Sequence, residues 1–161
     1  MNQIFEDNEY YTGPTLDDKL VGKAEQALGF RLPRSYVQVL SQRNGGVPRK
    51  RCFAADFPTS WAPDHIEIEA IRGIEGEWGI DSSSGLGSPD MIAEWGYPEI
   101  GIVICVMPSG GHDTIMLDYS EVGPGGEPSV AYIDDDRIPR RIASSFQEFL
   151  ERMKPCEHFT S

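Results

Sequence analysis

The chain has 161 residues, 39% of them hydrophobic and 25% charged, which suits one globular domain with a buried core and excludes a disordered chain or a membrane protein. Fourteen Lys and Arg stand against 26 Asp and Glu, a net charge of −12. That balance opposes sequence-independent nucleic-acid binding, where phosphate neutralisation needs excess cations, and it would speed encounter with a basic partner.

Residues 1–14 are polar and aromatic without a clear period and read as an N-terminal arm; residues 15–161 read as a single domain. Thr15 and Asp18 resemble a capping box, and Leu16, Leu20, Val21, Ala24 and Leu28 recur at helical spacing up to a stop at Gly29. Pro33 opens a second helix, which runs to Arg43 with an apolar face of Tyr36, Val37, Val39 and Leu40 and ends at Asn44-Gly45-Gly46. A short strand is expected at Cys52–Ala55, then a proline-rich loop with Trp61. From His65 to Ile71 the alternation puts Ile66, Ile68 and Ala70 on one face and Glu67 and Glu69 on the other, a strand with one wet side.

A glycine- and serine-rich segment, 73–87, leads to Ser88-Pro89-Asp90, a helix opening for Met91–Trp95. Ile100–Met107 is apolar on both faces, the pattern of a central strand buried on both sides, and after the Pro108–Gly111 turn Asp113–Tyr119 returns as its hairpin partner. Val130–Ile133 is a last strand. Ser145 and Glu148 form a capping box for a closing helix that carries Phe146, Phe149, Leu150 and Met153 and stops at Pro155. Helices at both ends of a run of short-turned strands predict an α+β fold: a mostly antiparallel sheet packed with an N-terminal helix pair and a C-terminal helix.

Cys52, Cys105 and Cys156 are odd in number, scattered and without a Cys-x-x-Cys pair, which predicts neither a disulfide framework nor a zinc motif and points to a reducing compartment. The first residues, MNQIFEDNEYY, carry acids where a signal peptide would be positive, and the longest apolar run falls far short of the roughly 20 residues that span a bilayer. A cytoplasmic location is expected.

Chemistry-bearing constellations are sparse. Asp113 and Asp118 lie five apart on one predicted strand and so face opposite ways. Cys105 with His112 invites a cysteine-hydrolase reading, but a thiol in the middle of an apolar strand behaves as a small hydrophobe. His65 and His158 have no ligand-spaced neighbour, and neither Gly85-x-Gly87 nor Gly110-Gly111 is followed by the Lys-Ser/Thr of a phosphate loop. No catalytic residue, cofactor site or metal site is predicted. Asp134-Asp135-Asp136, the densest acid run, lacks the glycine and spaced later acid of a calcium loop. A solvated turn is its expected role, and with Glu67 and Glu69 it also forms the predicted partner-binding surface. Trp61, Trp78 and Trp95 are expected to pack in the core or under a lid, while an exposed one among them would make an interface anchor.

Three pieces together resemble the SUKH superfamily: LGFRLPRSYVQVLSQRNGG (28–46), the hairpin GIVICVMPSGGHDTIMLDYS (101–120) and the terminal SSFQEFLERM (144–153). Ser35 stands where an acid is frequent in relatives. The resemblance implies a non-enzymatic, protein-binding domain. Bacterial members are often immunity proteins that neutralise a toxin by binding it, and some relatives regulate cell-wall assembly. The partner implied is a protein, a basic toxin domain such as a nuclease fitting the charge, with no nucleic acid and no membrane. A regulatory or scaffold domain without a toxin partner is the alternative, and a metal-assisted hydrolase using the clustered acids is a third reading.

Overall fold

Helix α1 (Asp18–Leu28) begins where Asp17, in an extended conformation, accepts a hydrogen bond from the Leu20 N–H at 2.9 Å. The cap is therefore Asp17 rather than the predicted Thr15, since it is the Asp17 carboxylate that reaches a free first-turn N–H. Gly29 ends the helix as predicted, at φ 80°, with its N–H on the Glu25 carbonyl. Helix α2 (Arg34–Gln42) starts after Pro33 and buries Tyr36, Val39 and Leu40. These are three of the four predicted apolar positions. The computed structural model describes residues 3–159, so residues 1–2 of the predicted arm and 160–161 of the predicted domain lie outside the described residues.

Asn44 explains the stop after α2. Its amide is buried and donates to the carbonyls of Pro14 and Ile74, both at 2.7 Å, while its Oδ1 accepts the Ile74 N–H at 2.8 Å. The neighbouring glycines permit that approach: Gly45 has φ +93°, and a Cβ on Gly73 would stand 2.3 Å from the Asn44 carbonyl oxygen.

Nine short strands are found among the described residues. β1 (Cys52–Ala54) pairs antiparallel with β2 (His65–Glu67) and with β9 (Met153–Lys154), giving the order β2-β1-β9. β3 (Ala70–Ile71) pairs with β5 (Cys105–Val106). β4 (Gly101–Val103), β6 (Thr114–Asp118), β7 (Ser129–Ile133) and β8 (Pro139–Ala143) form the four-stranded sheet β4-β6-β7-β8, all antiparallel. The α+β class holds, and two predicted strands are divided. His65–Ile71 keeps its alternation, with Ile66, Ile68 and Ala70 buried, yet it changes partner from β1 to β5 between Glu67 and Ala70. Ile100–Met107 likewise ends its ladder with β6 at Val103, the Ile104 N–H still reaching the Ile115 carbonyl, and pairs with β3 from Cys105.

β4 is buried on both faces, as its composition implies, but it is an edge strand rather than a central one. Its open side is met by helix α3 (Ser88–Trp95), whose Ser88 hydroxyl accepts the Val103 N–H at 2.9 Å. The two faces of the sheet serve two cores. Ile102, Ile115, Leu117, Val130 and Tyr132 pack with α2 and with α4 (Phe146–Glu151). Val103, Met116, Ala131 and Ile133 pack under α3. Ser145 caps α4 through the Glu148 N–H, as predicted, but the helix closes at Glu151 and Met153 is delivered to the core from β9.

The cysteine expectation is corrected. Cys52 and Cys156 form a disulfide, and Cys105 is the buried free thiol. Cys156 lies on a terminal 3-10 turn (Cys156–Phe159) that folds back over β1, a long-range proximity with no trace in local spacing.

Candidate protein-interaction face

The turn between β7 and β8 carries the predicted acid run and is built by Arg137. Its backbone has φ 62°, a conformation that costs a side-chain-bearing residue about 1–2 kcal/mol. The guanidinium offsets this by donating to the carbonyls of Trp95 (3.0 Å), His112 (2.6 Å) and Asp134 (3.0 Å), and it lies over the Tyr97 ring at 5.0 Å. Trp95 is the last residue of α3, so the cation sits at the negative end of that helix. One residue thus ties together the acidic turn, the end of α3 and the β5–β6 turn.

Aromatic side chains gather around this junction. Trp95 meets His112 edge to face at 5.3 Å, and Trp61 lies 6.2 Å from the same imidazole. Trp61 comes from the loop between β1 and β2, held by the Ser60 N–H on Asp134 Oδ2 at 2.9 Å, and it is 54% exposed. Beneath Trp95 a cavity of about 290 Å³ is lined by Trp78, Met91, Tyr97, Met107 and Thr114 among others. On the far side of Trp78 stand Tyr11 at 4.9 Å and Tyr10 at 5.8 Å, the latter 69% exposed. A band of aromatics therefore runs from the arm past one cavity to the Trp61 loop.

The predicted acids fall at separate places along this region. Glu69 is half-buried beside Tyr11, whose phenol is pushed up by burial and then by the Glu69 charge. Asp134, Asp135 and Asp136 stand at the other end, next to Trp61. Glu67 belongs elsewhere: it is exposed on β2, directly across from Cys52. The turn acids are not equivalent either. Asp134 accepts from the Ser60 and Asp135 N–H groups, and Asp136 accepts from the Ile138 N–H and from Arg140 at 3.1 Å. Those oxygens are committed to shaping the turn, which weakens the reading in which they hold a cation.

Under the face lies a buried polar layer. Asp113 accepts from the Ser109 hydroxyl and from the Tyr132 phenol, both at 2.6 Å, and burial holds its carboxyl above the ordinary 3.8. Arg72 is 2% exposed and donates to the carbonyls of Trp78, Gly79, Leu86 and Val103; burial lowers its guanidinium to about 10. Burial also pushes the Cys105 thiol well up, so it is not a ready thiolate, and the His112 ring packs against Trp61 and Trp95. Sequence reasoning missed Arg72, and it singled out Trp61, Trp78 and Trp95 one by one without their gathering with Tyr10, Tyr11 and His112 into one band. An Arg set between the apolar pair Ala70-Ile71 and Gly73-Ile74 was the one available signal for the buried layer.

Compared with known protein families, residues 15–152 match the SMI1 / KNR4 family (SUKH-1). No curated protein sequence matches the chain. Among the described residues no helix is long and apolar enough to cross a membrane.

Proposed function

Since the chain belongs to the SMI1 / KNR4 family (SUKH-1), we propose that it is a non-enzymatic, cytoplasmic protein-binding domain of the immunity type, which neutralises a basic toxin domain by covering it. The observation that carries this reading is the half-exposed aromatic band around one cavity, with Glu69 at one end and Asp134–Asp136 at the other. Interface energy concentrates in Trp, Tyr and Arg side chains seated near pockets, and acids beside them steer a cationic partner into register. A toxin that cleaves nucleic acid exposes a basic surface for its substrate, so a −12 inhibitor competes for that surface directly.

The test is affinity capture of partners by the tagged protein from its own host, repeated with Trp61→Ala. Capture of one basic protein that inhibits growth when expressed alone, with retention that falls as salt rises and is lost in the variant, supports the reading. A partner retained equally by Trp61→Ala, or one indifferent to salt, places the interface elsewhere and overturns it.

A further inference from the structure

The disulfide sits in a setting that offers a second chemistry. Cys52 faces Glu67 across the β1–β2 pair and Lys154 across the β1–β9 pair, so all three side chains project from one face of that sheet. The terminal 3-10 turn covers this face, held by Cys156 and by Phe159, whose ring stacks on His65 at 4.5 Å. The two cysteine sulfurs and a Glu67 carboxylate oxygen all lie within 4.8 Å of one another. Glu67 takes part in none of the ion pairs found among the described residues.

We propose that Cys52, Cys156 and Glu67 form a site for a thiophilic divalent cation of the zinc class, taken up by the reduced protein in place of the disulfide. A thiol reductant supplies the electrons: two reductant thiols become one disulfide while the Cys52–Cys156 bond breaks to two thiols. The cation then displaces both thiol protons to solvent and is held by two thiolates and the Glu67 carboxylate, with water as the fourth ligand. Tetrahedral zinc with sulfur bonds of about 2.3 Å places two sulfurs about 3.8 Å apart. The move this asks for falls on Cys156, in a half-buried terminal turn rather than in a sheet. Two thiolates and a carboxylate around a dication leave one negative charge, and Lys154 stands on the same face to offset it. The site keeps the terminal turn docked where a disulfide would not persist, which reconciles the expected reducing compartment with a cysteine pair at bonding distance.

The experiment is titration of the purified chain with cobalt(II), then zinc, in oxidised form and after reduction with a phosphine. Reduced protein is expected to bind one equivalent of cobalt with a thiolate-to-metal charge-transfer band, to lose the band to zinc, and to melt higher when zinc is bound; oxidised protein shows none of these. Glu67→Gln, an exposed change, weakens binding at least about tenfold. Cys156→Ser abolishes the band. Absence of the band in reduced wild type, its survival in Cys156→Ser, or unchanged affinity in Glu67→Gln overturns the three-residue site.

Discussion

Replacing Asn44 by Ala tests the crossing of the α2 exit with the 71–74 segment on which both cores depend. The side chain makes three hydrogen bonds of 2.7–2.8 Å and is 3% exposed. Truncation removes all three and leaves the Ile74 carbonyl and N–H unpaired in a buried place and the Pro14 carbonyl unpaired in a partly buried one. Each net bond contributes about 1 kcal/mol, and each buried group left unpaired costs about 1–3 kcal/mol, so a loss of about 3–5 kcal/mol is expected. Urea unfolding monitored by circular dichroism reads this directly. With a slope of about 2 kcal/mol per molar, the midpoint falls by roughly 1.5–2.5 M. Ser41→Ala is the control: its hydroxyl makes an exposed bond to the Val37 carbonyl, and its removal changes stability by less than about 0.5 kcal/mol. A loss below about 1 kcal/mol for Asn44→Ala would refute the argument, because it would mean that water or a neighbouring group satisfies the crossing without the amide.

Arg137→Gly and Arg137→Ala both lose the three guanidinium bonds, but only Gly relieves the backbone at φ 62°; Gly should therefore be the more stable variant by about 1 kcal/mol in the same unfolding assay. Asp113 gives a pH signature. Its folded carboxyl titrates above the ordinary 3.8, mainly from burial, so the stability it contributes is full below that value and is lost as pH rises through the folded one. Unfolding measured across the acid range should show Asp113→Asn gaining on wild type as pH climbs past 3.8; a constant difference would contradict the shift.

What could be read from the sequence was whatever is encoded locally. The stop at Gly29, the opening at Pro33 and the Ser145–Glu148 cap rest on residues within one turn of each other, and the structure keeps all three. The burial of alternate residues in 65–71 was equally legible, because a period of two follows from the pleat. Strand partners were not. Nothing near Ile104 announces that the chain leaves β6 for β3, and β8 went unpredicted because PRRIA shows little apolar alternation; its Ile142 and Ala143 are buried by α4 packing rather than by pattern. The Cys52–Cys156 pair and the aromatic band have the same character: their members lie far apart in the chain and only pairing in the fold brings them together. Glu67, expected to act with the other acids, is placed by that same pairing opposite Cys52.

The acidic turn divides by function in a way its repeated residue conceals. Asp134 holds the Ser60 N–H and so fixes the loop that presents Trp61, whereas Asp135 is exposed and its backbone N–H is used within the turn. Asp134→Ala should therefore free the loop. Loss of one exposed bond worth about 1 kcal/mol speeds amide exchange at Ser60 about fivefold. Asp135→Asn removes the charge of the next residue, whose side chain does not hold Ser60, and leaves that exchange rate unchanged, with stability altered by less than about 0.5 kcal/mol. Against a basic partner the order changes character: Asp135→Asn lowers the association rate and its salt dependence, while Asp134→Ala also speeds dissociation, because Trp61 is no longer held in place. Equal exchange at Ser60 in both variants would show that the Trp61 loop is positioned by its own turn, through Thr59 and Ala62, and that the acid run contributes charge alone.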